Sequence, residues 1–138
     1  MIRLAAWLVA GLALAWLSAC DAVPREGLGG QTDPETRWRL AAIDDRAVND
    51  PVLVTFGPGR AISAAGPCLK LTAEQSLPLP WFRADDIRSA ATGCTLGADA
   101  ARFAARLPHM RLAERAGDTI LLTDDAGGSI ELRLAQTE

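Results

Sequence analysis

Three cysteines and a single histidine are the most reactive side chains of this sequence. Cys68 and Cys94 lie far apart, and neither belongs to the C-x-x-C motif that lowers a thiol pKa. A metal site formed by this pair and His109 would need a fourth ligand. The third cysteine, Cys20, is assigned to lipid attachment below, which leaves Cys68 and Cys94 as an even pair. In an oxidising compartment such a pair is expected to be oxidised. We therefore expect a Cys68–Cys94 disulfide, and we rank a redox pair and a metal site below it.

Adjacent carboxylates occur at Asp44-Asp45, Asp85-Asp86 and Asp124-Asp125. Paired acids serve glycosidases and Ca²⁺ sites, but neighbouring side chains of an extended segment point to opposite faces. We therefore interpret these acids as solvated, mostly in turns. The sequence contains no G-x-S-x-G or H-E-x-x-H motif, and Gly27–Gly30 does not join a strand to a helix as a phosphate loop does. We predict no enzymatic activity, no cofactor and no metal, and we expect His109 to be an ordinary strand residue.

The N-terminal segment has the layout of a signal peptide. A short basic start is followed by an uncharged run, Leu4 to Leu17, that is slightly short for a permanent membrane span. Leu17-Ser18-Ala19-Cys20 resembles the lipobox of bacterial lipoproteins, in which the cysteine thiol takes the lipid and small neighbours admit the peptidase. We expect residues 1–19 to be removed and Cys20 to carry acyl chains such as palmitate. The alternative is an uncleaved anchor, and both place the remaining chain outside the cytoplasm.

The segment after Cys20 is rich in proline, glycine and charge. Asp21 to Thr36 shows no hydrophobic periodicity, so residues 20–36 are predicted to be a lipidated cysteine and a flexible tether before a domain at 37–138. We expect the domain to face the periplasm from a bacterial cell membrane. An Asp after the lipidated cysteine resembles an inner-membrane retention signal in enteric lipoproteins, and the choice between inner and outer membrane stays open.

The charge distribution bears on partners. The chain of 138 residues has a formal net charge of −3, and its basic residues after the signal peptide are dispersed from Arg25 to Arg133. Nucleic-acid binding needs a concentrated basic surface, so we predict no nucleic-acid partner. The length suits one domain. We expect a monomer attached to the membrane through its N-terminal lipid, with an envelope protein as a candidate partner.

Periodicity predicts strands in the first half of the domain. Trp38, Leu40 and Ala42 alternate with other residues as in a half-buried strand, and Val52–Phe56 is typical of a second strand that pairs antiparallel with the first. Gly57–Gly59 predicts a hairpin turn into a further strand, Arg60–Ala64.

The middle of the domain is more ambiguous. Cys68–Thr72 is either a strand or a loop, Leu77–Pro80 cannot join a central ladder, and Trp81–Ala90 is extended. In a strand, one ring of Trp81 and Phe82 faces inward and the other outward. We favour core packing for the pair, and we name both rings as a possible binding surface, with the exposed ring as the better candidate.

The period changes to that of a helix over Thr95–Leu107, with Thr95 as the predicted cap and Pro108 as the stop. Three short strands are predicted beyond it, at 109–116, 118–123 and 129–134. These elements predict an α+β fold, a single β-rich domain in which one helix, at about 95–107, covers a curved antiparallel sheet.

The order of these parts resembles the META domain, the HslJ-like family of small bacterial envelope proteins. The residues that carry the resemblance are Trp38-x-Leu40, Leu53-x-Thr55-Phe56, Gly66-Pro67-Cys68, Gln75, Pro78-Leu79-Pro80-Trp81-Phe82, Thr92-Gly93-Cys94, Ala100 to Leu107 and Ile120 to Asp124. Leu69 stands where the family usually carries Asn. The resemblance implies an extracytoplasmic domain linked to stress response or secretion, without established catalytic residues.

We therefore expect a non-enzymatic envelope lipoprotein with a structural, stress-protective or protein-interaction role. The alternative is a periplasmic carrier or sensor of a small apolar ligand. A pocket lined by Trp38, Phe56 and Trp81 would favour the carrier. A filled core with one exposed aromatic side chain would favour the interaction role, and a buried acid beside His109 in a cleft would favour an enzyme.

Overall fold

The computed structural model describes residues 27–30 and 32–135. The predicted signal peptide and Cys20 lie outside these residues. Within this described part of the chain, nine strands and one α-helix form the domain. The strands are β1 (Trp38–Ile43), β2 (Arg46–Ala47), β3 (Leu53–Phe56), β4 (Ala61–Gly66), β5 (Leu69–Gln75), β6 (Ala84–Ala91), β7 (Leu112–Ala116), β8 (Thr119–Thr123) and β9 (Ser129–Leu134), and the helix is α1 (Ala98–Arg106).

All strand pairs are antiparallel, and they form one curled sheet. The order is β6-β5-β4-β3-β1-β9-β8-β7, with the short β2 beside β1. The segment before β6 returns to the other edge of the sheet. The Phe82 N–H donates to the Arg111 carbonyl at 2.7 Å, and the Ala113 N–H donates to the Pro80 carbonyl at 2.9 Å. These bonds cover part of the otherwise open edge of β7, which is how sheets avoid pairing with other chains.

Strict alternation produces one continuous core. In β5, Leu69, Leu71, Ala73 and Gln75 are buried while the residues between them are exposed, as the two-residue period of a strand requires. The largest core side chains come from different parts of the chain: Trp38, Phe56, Phe82 and Phe103. The predicted α+β fold, with a curved antiparallel sheet and one covering helix, is confirmed.

The ambiguous middle of the chain is largely strand. The segment Cys68–Thr72, expected as either a strand or a loop, belongs largely to the regular strand β5, which pairs along its length with β4. The extended segment expected from Trp81 becomes a regular strand, β6, only at Ala84. The Pro-rich segment stays outside the main ladders, as predicted, with a cis peptide bond between Leu79 and Pro80.

The helix starts later than predicted. The N-cap residue is Gly97 rather than Thr95, and no side chain at the N-cap position accepts a hydrogen bond from the first turn. The carboxylate of Asp50, from the segment before β3, instead accepts the Ala100 N–H at 3.1 Å. A side chain at Gly97 would overlap this carboxylate. The cap thus comes from a residue distant in the sequence, which a local pattern cannot indicate.

Part of the predicted tether belongs to the domain. Leu28–Gly30 forms a 3-10 turn, and the Leu28 side chain is completely buried in the core. The Leu28 N–H donates to Gln75 Oε1 at 2.9 Å, and Gln75 Nε2 donates to the Leu77 carbonyl at 3.0 Å. The prediction of a flexible tether is therefore wrong for Gly27–Gly30. We call this arrangement of Leu28, Gly29 and Gln75 the Leu28 contact.

Glycine allows the close approach in the Leu28 contact. A Cβ added at Gly29 would lie 2.7 Å from the Gly59 carbonyl oxygen and closer still to that of Gly57, while one at Gly27 would lie 2.7 Å from Gln75 Oε1. Across the residues that the structure covers, no helix has the length and apolar character needed to cross a membrane.

Candidate functional site

Trp81 is the most exposed large apolar side chain of the domain as far as the structure describes it, at 58%. It lies in the segment that closes onto β7, where it faces Leu112 as a bridged pair. Leu112 is also exposed, and side chains directly opposite on paired strands are within contact reach of one another. Trp81 and Leu112 thus form a small apolar surface, which we call the Trp81 patch.

Phe82 has the opposite environment. Its side chain is completely buried, because consecutive residues of an extended segment point to opposite sides and the backbone at Phe82 is fixed to Arg111. One ring inward and one outward was the expected pattern for the pair. The prediction of Phe82 as part of a binding surface is therefore wrong, and Trp81 remains the candidate.

No pocket is formed by Trp38, Phe56 and Trp81. The first two side chains are buried within the continuous core, whereas Trp81 faces outward. Two depressions among the described residues lie elsewhere and are bordered mainly by charged side chains and glycines of turns. The described domain therefore has a filled core and one exposed aromatic ring, which is the arrangement expected for a protein-interaction role rather than for a carrier of an apolar ligand.

Cys68 and Cys94 form the predicted disulfide, with their Cα atoms 5.3 Å apart. Cys68 lies in the turn between β4 and β5, and Cys94 follows the end of the edge strand β6, so the bond ties that turn to the segment after β6. The Thr92 N–H also donates to the Cys68 carbonyl at 3.2 Å. Because both sulfurs are bonded to each other, neither is a free thiol for nucleophilic or metal chemistry.

Arg106 joins two of the acid pairs across the end of the sheet. Its Nη2 lies 2.8 Å from Asp44 Oδ1, in the turn after β1, and 3.2 Å from Asp124 Oδ2, in the turn after β8. A Cβ at Gly128 would collide with this guanidinium, so the glycine gives it room. We call these three charged residues the Arg106 cluster. Asp44 stays exposed, as interpreted, whereas the interpretation of the acids as solvated is wrong for the more enclosed Asp124.

Asp124 is the most enclosed acid of the Arg106 cluster, with 9% of its side chain exposed. Its Oδ1 accepts the N–H groups of Gly128 at 2.6 Å and Ala126 at 2.9 Å. The hydrogen bond from Gly128 has the largest effect and lowers the pKa of Asp124. The Ala126 hydrogen bond and the charge of Arg106 lower it further, against the opposing effect of burial. The carboxylate is thus held ionised and fully engaged by the turn, which is a structural use of an acid.

His109 ends a 3-10 turn, Leu107–His109, and the prediction of a strand residue is wrong at this position. It borders an open depression together with Arg111 and Asp125, and no serine, threonine or cysteine lines that depression. An enclosed acid near His109 does exist in Asp124, but its oxygens already accept bonds from the backbone and Arg106. Among the described residues, no group of three or more His, Cys, Asp or Glu side chains is placed to hold a metal ion.

The fold has solved counterparts. A structure determined by NMR for a protein from Burkholderia xenovorans is similar over 79% of this chain and 87% of that chain, with a TM-score of 0.60 and 19% identity. A second NMR structure matches 73% of this chain and 90% of its own, with a TM-score of 0.54 and 15% identity. Neither a scan of protein-family models nor a search of curated proteins gives a match. At these identities, the likeness shows the fold.

Two of the residues that organise these sites were not singled out as site residues from the sequence. Arg106 was assigned only to the polar face of the helix, and its two partners come from turns far away in the chain. Gln75 entered only through the family resemblance, yet it is the one buried polar side chain found in the described part of the chain. The usable signal was a glutamine at an inward position of an alternating strand, since such a residue must find hydrogen-bond partners inside.

Proposed function

We propose that this chain is a non-enzymatic lipoprotein of the bacterial cell envelope, related to the META domain family. It has a structural, stress-protective or protein-interaction role, and it docks to its partner through the Trp81 patch. One observation carries the docking site: Trp81 stays more than half exposed while the other aromatic side chains of the domain lie in the core. Large aromatic rings left exposed beside another apolar side chain are typical anchors of binding surfaces.

The chemistry of the cysteines supports the proposed location outside the cytoplasm. A disulfide persists outside the cytoplasm, and the Cys68–Cys94 bond fits a domain that folds there. The lipobox-like Leu17-Ser18-Ala19-Cys20 supplies the anchor in this proposal. A carrier would need an apolar cavity, and the continuous packing of the core argues against it.

The proposed lipid anchor and location are tested by the intact mass of the protein purified from membranes of its native host. We expect a chain without residues 1–19, with acyl chains on Cys20, and with Cys68 and Cys94 blocked to alkylation until reduction. An unprocessed chain with free thiols would contradict the proposal.

The docking role is tested by complementation of a deletion strain under envelope stress. Trp81→Ala should reach the membrane at the wild-type level and fail to restore survival, because the anchor of the surface is gone. Leu134→Ala is the matched control, since Leu134 is an exposed leucine at the end of β9 outside the Trp81 patch. Full survival with Trp81→Ala would remove the patch from the function.

A further inference from the structure

The Leu28 contact fixes where the N-terminal segment leaves the domain. The Leu28 N–H is bonded to Gln75, and Gly27 lies directly against the same carboxamide. The N-terminal end of the described domain therefore lies beside the end of β5. A tether that extended to Thr36 would instead place it at the start of β1. The exit point of any membrane anchor lies at Gln75.

This exit point limits the distance between the domain and the lipid on Cys20 to a short span. Six residues lie between Cys20 and Gly27, so seven Cα–Cα steps join them. Whatever the conformation of these residues, such a length spans at most about 25 Å. A domain released down to Thr36 would have more than twice this reach. The Leu28 contact thus keeps the end of β5 close to the membrane that holds Cys20.

Trp81 lies near this exit point. The Ser76 N–H donates to the Arg83 carbonyl at 2.9 Å, so the two backbones run side by side directly after Gln75. Trp81 is two residues before Arg83. Adding the strand spacing to these short chain lengths places the Trp81 Cα within roughly 16 Å of the Gln75 Cα.

The surface around the exit point has a suitable chemistry for a bilayer. Tryptophan is enriched at the membrane–water interface because its ring is apolar and its N–H is polar. Arg60, whose carbonyl accepts the Gln75 N–H at 2.8 Å, has an exposed side chain beside the same contact. A basic group there suits anionic lipid headgroups.

We propose that the partner of the Trp81 patch is the membrane surface itself, with the indole ring at the level of the lipid headgroups. This inference rests on the proposed lipid anchor at Cys20. The patch consists of two side chains, whereas a stable protein interface covers about 800 Å² on each partner. Contact with a bilayer needs no such area, because the acyl chains already supply the affinity.

The test uses the lipidated protein in vesicles of phosphatidylethanolamine and phosphatidylglycerol, with or without bromine on the acyl chains as a fluorescence quencher. Of the four tryptophans, only Trp38 and Trp81 remain after loss of residues 1–19, and Trp38 is buried. We expect brominated lipid to remove up to roughly half of the tryptophan emission, because one of the two tryptophan rings, that of Trp81, lies at the interface. Trp81→Phe should abolish the quenching, because only Trp38 is left.

Each outcome separates this inference from the proposed function. An acylated mass with no quenching by brominated lipid would overturn membrane docking and leave a protein partner for the Trp81 patch. A mass without acyl chains would overturn the proposed function, and the inference with it. A chain that begins at residue 20 and carries Cys20→Ser has neither the lipid nor Trp7 and Trp16, and it should show no quenching at the same lipid concentration. Equal quenching in this variant would contradict the role of the short anchor.

A matched pair of glycine variants tests the Leu28 contact. Gly29→Ala places a methyl group against the carbonyl oxygens of Gly57 and Gly59, and it should release the segment, lengthen the reach and reduce the quenching. Gly57→Ala meets only the Ala61 methyl group, at 3.3 Å, and should keep the wild-type value. Circular dichroism checks that both variants are folded. Undiminished quenching in a folded Gly29→Ala protein with a displaced segment would overturn the reach argument.

Discussion

The Leu28 contact and the Arg106 cluster join distant parts of the chain in similar ways, but in different environments. In each, one long polar side chain binds a segment that is far away in the sequence. Gln75 is almost completely buried and uses both ends of its carboxamide, whereas about a third of the Arg106 side chain faces water. Water competes for the bonds of the second site and is excluded from the first.

This difference predicts that the two sites contribute unequally to stability. A buried donor that loses its partner costs its full desolvation free energy, while an exposed ion pair exchanges one set of favourable interactions for hydration. The number of hydrogen bonds at each site is therefore a poor guide to its contribution. The following variants, all made in a chain that begins at residue 20 and carries Cys20→Ser, test the comparison in order of expected effect.

Leu28→Ala should have the largest effect. Removing most of a completely buried leucine side chain lowers the free energy of unfolding by about 2–5 kcal/mol. Leu112→Ala is the matched control, because its exposed side chain should change the value by less than about 0.5 kcal/mol. Urea denaturation measures both. Similar values for the two variants would mean that Leu28 is not docked in solution.

Gln75→Leu should have the next largest effect. The substitution keeps the volume of the side chain but leaves the buried Leu28 N–H without its acceptor, at a cost of about 1–3 kcal/mol. Glu74→Leu, at the exposed neighbouring position of β5, is the control. Hydrogen exchange of the Leu28 amide gives a second measurement, and we expect faster exchange only in Gln75→Leu.

Arg106→Met should have a smaller effect, about 0.2–1 kcal/mol, because the ion pairs with Asp44 and Asp124 are partly exposed. Arg102→Met, at an exposed position of the same helix, controls for the change in helix composition. A loss as large as that of Gln75→Leu would reverse the comparison between the two sites.

The pH dependence should show the smallest effect. Hydrogen bonds from the Gly128 and Ala126 N–H groups lower the pKa of Asp124 in the folded state. The ionised acid therefore stabilises the fold above the unfolded pKa of about 3.9, and this stabilisation is lost as the pH falls through the lower folded value. Asp124→Asn should flatten the fall in stability below about pH 4. Asp125→Asn, at the exposed neighbouring residue, should keep the wild-type slope.

Much of the fold was accessible from local patterns, and the candidate sites were accessible only in part. Alternation identified the strands around Trp38 and Phe56, and it also predicted that Trp81 and Phe82 face opposite sides. The same pattern did not say which ring is exposed, because that depends on which side of the segment meets the core. For Thr95, the preference for a capping threonine was overridden by Asp50, a residue from another part of the chain.

The sequence by itself determined the α+β class, the curved antiparallel sheet, the helix and the pairing of Cys68 with Cys94. The fold elements follow from side-chain period and composition, which act over a few residues. The pairing follows from the two cysteines that remain once Cys20 is assigned to the lipid. The tertiary structure alone decided that Leu28 belongs to the core, that Arg106 joins two turns, and that Trp81 faces outward. Each of these depends on which distant segments the closing of the sheet brings together, and such proximity leaves no periodic trace in the sequence.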